Sequence, residues 1–186
     1  MASKTEIANR IFLKLGYPRI ANVDTDQSPQ ATAVSEIWNT VRDSLFYNYP
    51  WNFAIKRADV AASGTAPVWG WDNAFPLPTD CVRILELKNI PDYEVEGDMI
   101  LADTTGPLYI RYISRIEDVG LWSPAYIETF VIEMAIEVND RITDDNTKKQ
   151  LLLAQKRDIV DASLRSDSVE NPPKNFEEDD WVLARI

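Results

Sequence analysis

The chain contains no histidine. That removes serine–histidine and cysteine–histidine nucleophile systems, and the zinc and iron sites that lean on imidazole. Cysteine is almost absent as well. Cys81 stands alone, so neither an internal disulfide nor a cysteine-rich zinc site can form, and its alternating apolar neighbours mark it as a buried structural thiol. No run of 18 or more apolar residues occurs, so no segment is expected to span a bilayer. The opening Met1-Ala2-Ser3-Lys4-Thr5-Glu6 lacks the apolar stretch of a secretory signal, which reads as a product made in the cytoplasm. The six glycines are scattered and form no Walker or dinucleotide loop. Basic residues are in deficit, 19 against 30 acidic, and a net charge of −11 argues against a protein that binds nucleic acid by neutralising phosphates.

What is present is the composition of an ordinary folded domain. The 186 residues are 45% hydrophobic and 26% charged, enough chain to bury roughly 70% of its unfolded surface without a metal or disulfide staple. The acid is unevenly spread. Residues 117–145 carry a net −7 and residues 146–166 a net +3, with a further −4 in 167–186.

The hydrophobic period changes along the chain. Ser3 and Glu6 have capping-box spacing ahead of Ile7, Ile11, Phe12 and Leu15, and Gly16 with Pro18 supplies a stop, so a first helix is expected from about Thr5 to Leu15. Ser28-Pro29 opens a second, along which Val34, Ile37, Trp38, Val41 and Leu45 recur at helical spacing as far as about Tyr47. The middle alternates instead. Phe53 to Val60 and Val82 to Leu87 read as strands, Gly64 to Asn73 as a loop, and Tyr93 to Glu96 with Met99 to Leu101 as a hairpin turning on Gly97-Asp98. Leu108, Ile110 and Tyr112 alternate with Tyr109, Arg111 and Ile113 in a further strand. Ser123-Pro124 then starts a helix with Ile127, Phe130, Val131, Met134, Val138 and Ile142 on one face. A fourth helix from about Thr147 to Arg165 places Leu152, Leu153, Ile159, Val160 and Leu164 inward, and the short connection makes the last two helices antiparallel neighbours.

The expected fold is therefore α+β and mainly α: a helical bundle (1–50 and 117–167) carrying an inserted small antiparallel β-region (51–116) and an extended C-terminal tail (168–186). That tail holds Pro172-Pro173, the run Glu177-Glu178-Asp179-Asp180 and the aromatics Phe176 and Trp181. It cannot form a core alone. Large aromatics serve as interface anchors, so Phe176, Trp181, Val182 and Leu183 are the candidate partner-binding residues.

No catalytic, cofactor-binding or metal-ligating pattern emerges. Asp140 to Asp145 resembles a calcium loop only superficially, lacking the glycine at the turn and the terminal glutamate at the required offset. A glycosidase built on paired carboxylates has little behind it. Trp51, Trp69, Trp71 and Trp122 could make a sugar platform, although burial in a core or a subunit interface is the more economical reading. One physical feature stands out on the third helix. Glu133, Glu137, Asp140 and Asp144 fall at i, i+4, i+7 and i+11, away from the apolar stripe. They form either a solvated face or, in a ring, a channel lining that repels DNA phosphates.

Four blocks, taken in order, are more specific than any of these features. They are Tyr49-Pro50-Trp51-Asn52-Phe53-Ala54; Phe75-Pro76-Leu77-Pro78-Thr79-Asp80-Cys81-Val82-Arg83; Tyr93-Glu94-Val95-Glu96-Gly97; and Pro107-Leu108-Tyr109-Ile110-Arg111-Tyr112. Through them the chain resembles the tail tubular protein A family, the head–tail adaptors of T7-like podoviruses, from the second helix to the fourth. The resemblance implies a non-enzymatic virion protein of the tail, assembled as a ring, typically a dodecamer. Its implied partners are the portal protein, a tail nozzle of the tail tubular protein B kind and tail fibres, with DNA met only in passage. No catalytic residue comes with the family. The rival expectation is a monomeric tail-assembly scaffold or chaperone that recruits a partner through the aromatic, acidic tail.

Overall fold

The computed structural model describes residues 2–88, 90, 92–142 and 145–170. The fold is α+β and mainly α, with four α-helices and two three-stranded antiparallel sheets among the described residues. Helix α1 (Lys4–Leu15) opens with the capping box that Ser3 and Glu6 announce. The Ser3 hydroxyl accepts from the Glu6 amide at 3.2 Å, and the Glu6 carboxylate accepts from the Ser3 amide at 2.9 Å. Gly16 closes it in the left-handed conformation. Helix α2 (Pro29–Asn48) starts at Ser28, whose hydroxyl accepts from the Ala31 amide. Helices α3 (Pro124–Ile142) and α4 (Asn146–Val169) complete the bundle. Helix α4 reaches two residues into the segment assigned from sequence to the tail. No helix among the described residues is long and apolar enough to cross a membrane.

The bundle core is aromatic. Tyr126, in the first turn of α3, stacks on Phe46 at 4.8 Å and meets Trp51, Phe53 and Trp122 edge-on at 4.9–5.4 Å. Phe130, one turn on, stacks at 6.1 Å. The polar tips within this cluster are satisfied by backbone. The Tyr126 hydroxyl donates to the Arg42 carbonyl (3.2 Å), Trp51 Nε1 to the Leu45 carbonyl (3.2 Å) and Trp122 Nε1 to the Ile116 carbonyl (2.9 Å). Burial drives the Tyr126 phenol far above its usual pKa, so it stays a neutral donor.

Two strand expectations need correction. The segment from Phe53 does not begin as a strand: Asn52–Ala54 is a 3-10 turn, and β1 starts only at Ile55 (Ile55–Val60). The turn lets Trp51 enter the bundle before the chain extends. The region also holds two sheets rather than one. β1, β6 (Leu108–Ser114) and β3 (Cys81–Leu87) form the first in the order β1-β6-β3. β2 (Asn73–Pro76), β5 (Met99–Ala102) and β4 (Glu94–Glu96) form the second in the order β2-β5-β4, with Gly97-Asp98 turning the hairpin as expected. Strand β2 was hidden by its four-residue length and its terminal proline.

Strand β6 is the wall between two cores. Leu108, Ile110 and Tyr112 face the second sheet with Val60, Phe75 and Ile100, whereas Ile113 on the other face packs with the helices. At the entrance to β6, Gly106 sits at φ +79, and a Cβ there would lie 2.7 Å from the Phe75 ring. Both backbone and space demand glycine.

Removing the centre of the aromatic cluster should therefore cost more than any surface change. Urea denaturation is expected to show Tyr126→Phe, which loses only the bond to Arg42, destabilised by about 1 kcal/mol. Tyr126→Ala should lose about 3–5 kcal/mol.

Candidate interaction surfaces

The acidic stripe of α3 lies along the seam with α4. Glu133, half-buried, pairs with Lys156 at 2.7 Å, and Asp140 pairs with Lys149 at 2.5 Å. The crossed numbering of these pairs shows α3 and α4 running antiparallel. It also explains the charge blocks in the sequence: the +3 segment is laid against the −7 segment. Glu137 is exposed. Asp144 lies outside the described residues, as do Phe176, Trp181, Val182 and Leu183. Of the apolar positions assigned inward on α4, Leu152 and Val160 are buried and Ile159 and Leu164 half-buried, but Leu153 is exposed. Leu153 lies seven residues before Val160, on the same side of α4, and lines an open groove there with Tyr49 and Val160.

The four tryptophans considered as a platform separate. Trp51 and Trp122 belong to the core. Trp69 and Trp71 sit on the loop before β2. That loop walls a groove of about 400 Å³ against the second sheet, with Glu94 and Glu96 on its far side. Trp71 is fixed by donating from Nε1 to Glu94 Oε2 at 3.1 Å.

A polar junction that the sequence did not disclose ties the three strands of the first sheet. Asp80, just ahead of β3, accepts from Lys56 Nζ of β1 at 2.7 Å and from the Tyr112 hydroxyl of β6 at 3.0 Å. Its carbonyl accepts from the Arg115 amide at 2.7 Å. Desolvation, the largest single influence, would raise the Asp80 pKa, but the bonds from Lys56 and Tyr112 together outweigh it and hold the carboxyl below the usual aspartate value of 3.8. Burial first, and then Asp80, push the Tyr112 phenol up to about 12. The same two influences raise the Cys81 thiol, which is half-buried and so less enclosed than the alternation of its neighbours implied. A thiol raised in this way is a poor nucleophile at neutral pH. Asp80 was legible only as one letter of an ordered block, because its partners lie 24 and 32 residues away.

A second junction ties the far end of the bundle. The Asn52 amide donates to both oxygens of Asp167 at 3.2 Å, and the Asn52 side-chain amide donates to the Asp167 carbonyl. The end of α4 is thus fastened to the turn that carries Trp51. Among the described residues no group of three or more Cys, Asp or Glu is placed to hold a metal ion. Protein-family models and curated proteins give no match to this chain.

The Asp80 junction should be visible in acid. A carboxyl with a lowered folded pKa contributes stability that is present above 3.8 and lost as pH falls through the folded value. The variant Asp80→Asn is expected to be less stable than wild type by about 1 kcal/mol at pH 7, chiefly through the half-buried Tyr112 bond. The difference should shrink below pH 3.8. Thermal denaturation of both proteins across about pH 2–7, the range in which carboxyl groups titrate, measures it.

Proposed function

We propose that this chain is a structural, non-enzymatic subunit of a phage head–tail adaptor ring, joining the portal to the tail nozzle and continuing the DNA channel. The observation that carries the proposal is the ordered set of four sequence blocks resembling tail tubular protein A. The reading is supported by what those blocks do in the fold, since three of the four occupy joints, while the third runs along the exposed strand β4. The first carries Trp51 into the bundle and Asn52 to Asp167. The second holds Asp80 against β1 and β6 of the first sheet. The third is the β4–β5 hairpin and the fourth is β6, the wall shared by both cores. A pattern distributed over joints specifies a whole architecture, and an adaptor is an architecture more than a site.

In this reading the bundle supports the channel and the β-region makes lateral or nozzle contacts. With Glu133 and Asp140 paired to α4, any repulsion of passing DNA by the described part of α3 falls to Glu137. The residues after α4 then reach toward the portal or a neighbouring subunit through Phe176 and Trp181.

The truncation that tests this must respect α4 and the Asp167 bond, so it belongs after Glu170. Removing residues 171–186 is expected to leave the thermal transition unchanged and to weaken docking to purified portal at least about tenfold, as loss of aromatic anchors does. Full portal binding and particle assembly by the truncated chain would refute the assigned role of the tail. A full chain that binds tail intermediates but is missing from mature particles would favour the scaffold alternative.

A further inference from the structure

The loop ahead of β2 ends in a tip that the rest of the molecule leaves bare. Val68 is 99% exposed and Trp69 85%, more than any other large hydrophobic among the described residues. The loop that carries the tip is held at its base. The Ser63 amide donates to the Ala74 carbonyl, the Asp72 amide to Asp103, and the Asn73 side chain to the Thr104 carbonyl at 2.9 Å. Trp71 is pinned to Glu94. An exposed aromatic on a loop held at its base is the kind of group that anchors protein interfaces.

Charge narrows the partner. Residues 61–79 and 89–107, which form this lobe, contain Asp72, Asp92, Glu94, Glu96, Asp98 and Asp103 and no lysine or arginine. All six are exposed, and among the described residues none forms an ion pair. Such a surface repels nucleic acid and anionic lipid, and calls for a basic partner with an apolar recess.

This chain carries such a surface itself, on the other core. Beside α1 lies a groove of about 470 Å³ lined by Ala2, Glu6, Asn9, Arg10, Leu13, Tyr17 and Arg19. Leu13 is 77% exposed. The Tyr17 hydroxyl is buried there without a hydrogen-bond partner. Residues 2–19 hold Lys4, Arg10, Lys14 and Arg19 against Glu6 alone; Lys4 and Arg10 are ion-paired with Asp24 and Glu128, which leaves Lys14 and Arg19 as the cations of this stretch without an ion pair among the described residues.

We propose that the Val68–Trp69 tip of one copy seats in the α1 groove of a second copy. The tip belongs to the two-sheet core and the groove to the helical core, so the contact joins different patches and each copy can use both. Such a heterologous contact propagates head to tail and closes into a ring when its rotation permits. The inference deepens the adaptor reading and rests on it for its biological setting.

The test uses the full chain in sedimentation velocity over a wide concentration range, with two variants whose altered side chains are solvent-exposed, Trp69→Ala and Leu13→Asp. Wild type is expected to self-associate, more weakly as salt rises. Each variant alone should associate at least about tenfold less. An equimolar mixture of the two should form dimers and nothing larger, because one intact tip then meets one intact groove. Arg19→Glu, also exposed, stands in for Leu13→Asp if that variant loses its circular-dichroism signature. A wild type that stays monomeric throughout, variants that assemble like wild type, or a mixture that stays monomeric would each overturn the contact. A monomeric wild type that still docks to portal would overturn the contact alone and leave the adaptor reading standing. A self-associating chain missing from virions would do the reverse.

Discussion

The packing of five aromatic rings around Tyr126 is the interaction on which the rest of the structure depends. Phe46 brings α2 to it, Trp122 and Phe130 bring α3, and Trp51 with Phe53 bring the turn between α2 and β1. Rings packed edge-on and offset in this way add orientation to ordinary apolar burial. Because β1 leaves directly from that turn, the cluster also sets where the first sheet begins. The same turn presents Asn52 to Asp167 and so fixes the end of α4. Bundle and sheet are hung from one short stretch of chain.

Electrostatics then divides the molecule. Within the bundle, acid and base answer each other: Glu133 with Lys156, Asp140 with Lys149, Glu36 with Arg141, Glu128 with Arg10. Exposed pairs of this kind add little stability individually, but they leave the helical surface locally balanced. The lobe built on β2, β5 and β4 is different, since its six carboxylates have no cation within the lobe. An imbalance confined to one lobe, next to a bare tryptophan, has no role in holding the chain together. In the proposed adaptor reading its role is recognition.

The helices were legible in the sequence because their signals are local. Ser3 and Glu6, Ser28 with Pro29, and Ser123 with Pro124 each mark a helix start with residues next to one another, and the apolar faces of α1 and α3 repeat within a few turns. The Gly97-Asp98 hairpin was legible for the same reason. Long-range choices were not. Nothing near Asn73 says that four residues will pair with Met99–Ala102, and nothing near Asp80 says that Lys56 and Tyr112 will meet it. The α3 carboxylates looked like a free stripe because the lysines that answer two of them lie on the next helix. Leu153 shares the helical angle of Val160, so its exposure was not legible from the apolar period of α4. Trp69 could have been separated from Trp51 and Trp122 by its setting: it lies between Pro67 and Gly70 in a stretch without cations, whereas the other two adjoin helices.

The account's central claim is that this chain works as one member of a closed assembly between portal and nozzle. A reconstruction of the neck of purified phage particles is the most direct measurement. The account predicts a ring of this chain at that level, with the helical bundles around the channel. Particles whose neck contains no density for the chain, with mass spectrometry finding none of it in the mature virion, would contradict the claim outright.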